Sequence, residues 1–252
     1  MDRDYYKQYY KLERTHWWFI VREKILHNLL KRQFSSQPKV KILNIGVATG
    51  RTSEMLLEFG NVTSVEYDKE CCTIMHELTG LDVFNASITE LPFDESTFDL
   101  VCAFDVIEHV EDDKKAVLEM NRVCKKNGII FLTVPAFEFI WSKHDDINQH
   151  KRRYKISQLS ELFLQKELKG KILQSSYFNF ILFLPIVLTR LAEKLLSKTR
   201  KGDVSSDFDM MNNNLLNKLF YYIFKIEVPL LNTLRFPFGI SIYYLWKKSI
   251  KN

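Results

Sequence analysis

The sequence predicts an α/β protein, doubly wound around a mostly parallel sheet. Three observations carry this expectation. Short apolar strand patterns alternate with helical ones from Val40 to Val134. The first strand pattern runs straight into a turn rich in small residues, and the second ends in an acid, as "KILNIGVATGRTSEMLLEFGNVTSVEYDKE" (41–70) shows. Alternation of this kind implies a parallel sheet with helices on both faces and a ligand at the carboxyl ends of its strands.

In chain order, Asp4 to Gln33 reads as one helical stretch, closed by the polar joint "SSQP" at 35–38. Strands are expected at Val40–Ile45, Val62–Glu66, Leu81–Asn85, Leu100–Phe104 and Gly128–Val134. Helices are expected at Arg51–Phe59, Lys69–Thr79 and Asp112–Lys126. From Phe180 to about Phe236 the alternation stops. Two apolar helical stretches flank the polar link "TRKGDVSSDFDMMN", with Pro185 expected to bend the first of them. The chain then closes on a strand-like "GISIYYLWKKS".

The ligand can be narrowed from the first turn. Gly46, Ala48 and Gly50 let the backbone approach a ligand at the positive end of the next helix. Glu66, ending the second strand, is placed to accept hydrogen bonds from both hydroxyls of a ribose. A dinucleotide site would need a further glycine where Arg51 stands, so NAD and FAD are disfavoured. No Gly-Lys-Ser/Thr follows the turn, which excludes a P-loop.

The ordered segments "ILNIGVATG", "VEYD", "ITELPFDESTFDLV", "DVIEHV" and "LEMNRVCKKNGIIFLTVP" resemble the motifs of class I S-adenosylmethionine-dependent methyltransferases, over roughly Lys41 to Pro135. With "HWWF" ahead of the core and "WSKHDDINQHKRRY" after the fifth strand, the chain looks most like a small-molecule subgroup of that family. The resemblance implies a seven-stranded Rossmann-like methyltransferase fold whose last strands form an antiparallel hairpin, Lys171–Tyr177 with Ile240–Lys247. It implies S-adenosylmethionine as cofactor. Gly46, Gly50 and the backbone of Val47 would line its methionine part, Glu66 would take the ribose, and Ser87 with the backbone of Ile88 would meet the adenine. Tyr67 and Phe104 complete the cofactor set. Two positions depart from the family pattern: Asn44 stands where an acid is usual and Ala48 where glycine is usual.

Methyl transfer from a sulfonium asks for alignment and exclusion of water more than for covalent chemistry. A positioned base helps if the acceptor is a hydroxyl or an acid. His109 and Asp105 are the catalytic candidates, with His109 the better base because its unperturbed pKa lies near neutrality; the alternative is that Glu108 and His109 only cap the following helix. For substrate, Trp18 on the N-terminal helix and His144, His150, Arg153 and Tyr154 after the fifth strand are the candidates. Arg153 supplies a fork suited to carboxylate or phosphate. No metal is expected at His144, Asp145 and His150, since the transfer needs none.

These readings divide the chain into an N-terminal helical lid (1–36), a cofactor-binding core (37–179 and 238–252) and a helical insertion (180–237). Residues 1–150 carry 18 Lys+Arg against 24 Asp+Glu, whereas 151–252 carry 18 against 7. The basic charge is therefore all C-terminal and surrounds "FNFILFLPIVL" (178–188), a run too short and too broken to cross a bilayer. An apolar stretch with Arg190, Lys194, Lys198, Arg200 and Lys201 beside it fits a membrane surface or an amphipathic, lipid-linked acceptor. A nucleic-acid methyltransferase is the first alternative, disfavoured because the basic residues alternate with large apolar ones and no Asn/Asp-Pro-Pro-aromatic motif follows the fourth strand. A cofactor-binding scaffold without activity is the second, and a dehydrogenase the third. Four cysteines without a CxxC pair, and a charged, aromatic start lacking an apolar signal core, fit a cytoplasmic protein, peripheral at most on the membrane. Oligomeric state is left open.

Overall fold

A computed structural model of the protein describes residues 3–34, 39–197 and 214–249. Two helices lead, α1 (Arg3–Thr15) and α2 (Trp17–Phe34). They are followed by β1 (Val40–Ile45), α3 (Arg51–Leu56), β2 (Gly60–Glu66), α4 (Lys69–Thr79), β3 (Val83–Asn85), β4 (Phe98–Phe104), α5 (Asp113–Val123) and β5 (Cys124–Pro135). The chain continues through α6 (Lys143–Ile147), α7 (Ile156–Phe163), β6 (Gly170–Phe178), α8 (Phe183–Ser197), α9 (Asn214–Lys225), α10 (Glu227–Leu230) and β7 (Ser241–Lys248). The joint at 35–38 and the link at 198–213 lie outside the described residues.

The seven strands form one sheet in the order β3-β2-β1-β4-β5-β7-β6, with β7 antiparallel to both neighbours. This is the doubly wound seven-stranded sheet expected above, closed by the expected hairpin. The period-2 alternation of each strand sorts its side chains into two cores. Leu43, Ile45, Val101, Ala103, Ile130 and Leu132 face α5 and α7. Ile42, Leu100, Cys102, Phe104 and Phe131 face α2 and the aromatic side of α9. Local chemistry fixes the helix ends: Asp68 accepts from the Glu70 and Cys71 amides to start α4, and Gly80 at φ +72° stops it.

The single N-terminal helix expected from sequence is two helices, broken at His16. The Trp17 amide turns away to the side-chain oxygen of Asn217 (2.8 Å), and His16 Nδ1 accepts from the Trp18 amide (3.3 Å), so His16 caps a new helix. The second helix is no detachable cover. Ile25, Leu26, Leu29 and Leu30 of α2 are fully buried against the sheet, and Trp17 meets Phe220 and Phe224 of α9 at 5.5 and 5.8 Å between ring centroids. At the strand ends, α1 and the first turns of α2 line one side of the cleft together. Pro185, expected to bend its helix, is instead the third residue of α8, where its missing N–H is no loss.

Candidate functional site

A cleft of about 1400 Å³ opens at the carboxyl ends of the strands. Its floor is the turn after β1. Gly46 (φ +71°) and Ala48 (φ +45°) both take left-handed backbone, and a side chain at Gly46 would collide with Val106. The amide of Ala48 donates to Glu66 Oε2 at 3.1 Å. The other oxygen of Glu66 accepts from the Tyr67 and Asp68 amides at 2.8 and 3.2 Å. Burial raises the Glu66 carboxyl above its ordinary pKa, while those three amides oppose the rise. The carboxylate is thereby fixed in position at the end of β2, beside the turn. Ser87 and Ile88 continue the wall beyond β3, with the Ser87 hydroxyl 2.8 Å from that of Thr89.

Asp105 follows β4 in left-handed backbone (φ +57°), directly after the buried Phe104. Its carboxylate is not a free base. Arg22 of α2 pairs with Oδ2 at 2.6 Å, and Thr133 donates to Oδ1 at 3.1 Å. Next comes a single 3₁₀ turn, Ile107–His109. It sends Glu108 fully inside and leaves His109 open to the cleft, with its ring 4.7 Å from that of His150. Desolvation by the cleft walls, and then the neighbouring His150, press the His109 pKa down to about 4. The ring is therefore neutral at pH 7 and a weaker base than its ordinary value promised.

The stretch after β5 is built around Asp145. Arg153 grips both of its oxygens at 2.8 and 2.9 Å, His150 Nδ1 lies 2.7 Å from Oδ1, and the Ser142 amide donates at 2.7 Å. His144 lines the cleft beside Asn148. From the insertion, Ile186, Thr189 and Arg190 of α8 reach the same cleft.

Most of the residues expected from sequence thus converge: Gly46, Val47, Ala48, Glu66, Tyr67, Ser87, Ile88, Phe104, Asp105, His109, Trp18, His144 and His150 all line the cleft. Four expectations need correction. Asn44 is buried behind the turn, donating to Thr52 and Ser53 at 2.9 and 3.0 Å, and braces the turn from below. Gly50 turns toward Met75 and Thr79 and caps α3. Tyr154 is 3% exposed, with its hydroxyl on Asp113 at 2.9 Å. Arg153 reaches the cleft wall, yet its fork is spent on Asp145.

Sequence reasoning missed the face of α1. Tyr6, Tyr9, Glu13 and His16 line the cleft, and their spacing of three, four and three residues is the signal that marks one side of a helix. Glu13 accepts from the Thr49 hydroxyl and so ties α1 to the turn. Glu108 was missed as anything but a cap.

A family described as Methyltransferase domain matches residues 43–132. An uncharacterized protein of Methanocaldococcus jannaschii is 31% identical over 139 residues, 55% of this chain and 66% of the relative. A protein named a probable S-adenosylmethionine-dependent methyltransferase in Mycolicibacterium smegmatis is 25% identical over 60% of this chain and 59% of its own length. The ubiquinone biosynthesis O-methyltransferase of Rickettsia prowazekii is 29% identical over 45% of this chain and 47% of that enzyme. The matches therefore span about half to two thirds of these relatives. Among solved structures, a Bacillus halodurans protein assigned as a methyltransferase superposes with a TM-score of 0.58 at 15% identity, covering 89% of this chain and 99% of that one, which speaks for the fold. Motif order, strand order and the matched segment agree, and residues 43–132 of the chain form a methyltransferase domain within the seven-stranded sheet.

Proposed function

We propose that the protein transfers the methyl group of S-adenosylmethionine to a small amphipathic, lipid-like acceptor. One observation carries this reading: Ile186, Thr189 and Arg190 of α8 line the same cleft as Glu66 and Ser87. The pocket suited to a nucleoside and the chamber under an apolar insertion are thus continuous. The relative named for ubiquinone biosynthesis points the same way. Cofactor binding rests on the turn and on Glu66. The acceptor then lies between α8 and the His109 wall, where closure of the cleft aligns nucleophile, methyl carbon and sulfur. Asp105, held by Arg22, acts as a positioning residue that fixes the backbone between Phe104 and His109.

Calorimetric titration tests the cofactor half. The protein is expected to bind S-adenosylmethionine and its demethylated product and to bind NAD poorly. Glu66→Ala should cost about 1–3 kcal/mol, roughly 5- to 150-fold in affinity. Full affinity in that variant, or no heat with either sulfur compound at high micromolar concentration, would defeat the reading.

The insertion is the second element of the proposal. Leu184, Leu188 and Leu191 of α8 are exposed at helical spacing, and so are Leu215, Leu219 and Tyr222 of α9, with Lys218 and Lys225 nearby. An apolar face with a cationic border suits an interfacial contact. Of the basic flank expected from sequence, Arg190 instead turns inward to the Ile140 carbonyl (2.9 Å), and Lys198, Arg200 and Lys201 lie outside the described residues. No helix among the described residues is long and apolar enough to cross a membrane. Cosedimentation with anionic vesicles is expected to exceed that with neutral ones and to weaken with salt, since each basic residue near the surface contributes about 1 kcal/mol. Equal recovery with both vesicle types removes the membrane contact and leaves the acceptor chamber.

A further inference from the structure

Among the described residues, one group of potential ligands converges on a point of the cleft wall: Glu108, His109 and His150, whose donor atoms all lie within 4.8 Å of one another. Two come from the turn after β4 and the third from the loop after α6. We propose that these three side chains bind a divalent first-row transition-metal ion at the acceptor end of the cleft.

The strongest support is Glu108. It is 0% exposed, and neither of its carboxyl oxygens has a hydrogen-bond partner in the protein. A buried carboxyl with nothing to bond is among the costliest polar groups a fold can carry, and native structures rarely keep one without an unseen partner. Glu108 lines the cleft, and its companions are two imidazoles. A cation satisfies it where a further protein donor is lacking.

His150 is prepared for the same role. Its Nδ1 lies 2.7 Å from Asp145 Oδ1, which leaves Nε2 as the free lone pair. Asp145 is itself locked by Arg153 and by the Ser142 amide. A carboxylate behind an imidazole is the usual outer partner of a metal-bound histidine, because it sets the tautomer and the ring orientation. His109 stands across from His150 with their rings nearly perpendicular, at 80°.

Geometry and donor chemistry select the ion. Bonds of about 2.1 Å place donors around one ion roughly 3–4 Å apart, so side-chain adjustments of about an ångström close the site. Two imidazoles and one carboxylate favour zinc, cobalt, manganese or iron over magnesium and calcium, which prefer all-oxygen sites. Three protein ligands on a cleft wall leave coordination positions facing the acceptor.

This deepens the methyltransferase reading and rests on it for the acceptor: an ion there selects an acceptor presenting a hydroxyl oxygen. The hydroxyl proton would pass to water in the open cleft. The oxygen pair would form the new bond to the methyl carbon, and the broken carbon–sulfur pair would stay on sulfur as a neutral thioether.

Cobalt(II) titration of the untagged full chain, followed by its visible d–d absorbance, tests the site. One saturable equivalent is expected. Glu108→Gln and His150→Gln should weaken binding about 10-fold or more, and His76→Gln, on the exposed side of α4, should not. Thermal unfolding checks that each variant folds. His109→Gln, at an exposed position, replaces Glu108→Gln if that variant does not. Absence of a saturable equivalent in the wild type, or binding as tight as the wild type's in the His109 and His150 variants, overturns the proposal. Calorimetry with S-adenosylmethionine separates the two readings: cofactor binding without cobalt binding sinks the ion alone, and cobalt binding without cofactor binding sinks the methyltransferase reading alone.

Discussion

Arg153→Met is expected to destabilise the protein by about 3–5 kcal/mol at pH 7, the usual cost of leaving one partner of a buried ion pair alone. Asp145 is 0% exposed and Arg153 5%, and the guanidinium also donates to the Ala136 carbonyl at 3.0 Å. Burial alone would raise the Asp145 pKa. The hydrogen bond with His150, with Arg153 behind it, reverses the sign and holds the carboxyl well below its ordinary range. A carboxylate with a depressed native pKa contributes stability that is present above its unfolded pKa of about 3.8 and lost as pH falls below it. The wild type should therefore outlast Arg153→Met by the widest margin at neutral pH, with the gap narrowing in acid. Urea unfolding of both proteins at pH 7 and pH 3 measures this. Unchanged stability together with a raised KM would return Arg153 to the role of substrate fork.

That contrast explains what was legible in the sequence and what was not. The sheet and the turn after β1 were readable because their causes are local. Strand periodicity is set by neighbouring residues, and Gly46, Ala48 and Glu66 follow one another along a single strand-turn-helix-strand unit. Arg153 misled because its partner is a packing fact: nothing in "HDDINQHKRRY" says that the chain folds back to bury Asp145 under its own arginine. Asn44 and Tyr154 failed for the same reason. Each carries polar atoms that long-range packing directs to Thr52 and Ser53 or to Asp113, away from the cleft. Glu108 lay beside His109 in a motif read for its histidine, and only burial without a hydrogen-bond partner marks it out.

The break of the N-terminal helix had a cause 200 residues away, in Asn217. Its consequence is functional. Because the chain turns at His16, α2 enters the core and carries Arg22 to Asp105, while α1 is free to lay Glu13 on the turn after β1. Two segments read as one lid divide the labour of bracing the cleft.

Glu13→Gln is expected to stabilise the protein above pH 7 by up to about 3 kcal/mol and to change nothing below about pH 4.5. Burial is the first cause of the elevated Glu13 pKa, near 7; the hydrogen bond from Thr49 and the charges of Arg22 and Arg14 only partly offset it. A carboxyl whose native pKa lies above its unfolded value of 4.5 binds its proton more tightly when folded. Stability is then full below 4.5 and falls as pH rises toward 7, by roughly 1.36 kcal/mol per unit. Glutamine keeps an acceptor for the Thr49 hydroxyl and has no proton to lose, so its curve lacks this decline. His16 works in the opposite sense. Burial lowers its pKa to about 4, and its contribution grows as pH rises from 4 toward 6.5. In the wild type the two slopes partly cancel, so a single stability profile would hide both, whereas the difference between wild type and Glu13→Gln removes the histidine and leaves the carboxyl. Thermal unfolding from pH 4 to pH 8 provides that difference. A flat difference curve would mean that Arg14 and Arg22 keep Glu13 ionised throughout, and that α1 is clamped to the turn after β1 by a charged carboxylate instead of a protonated one.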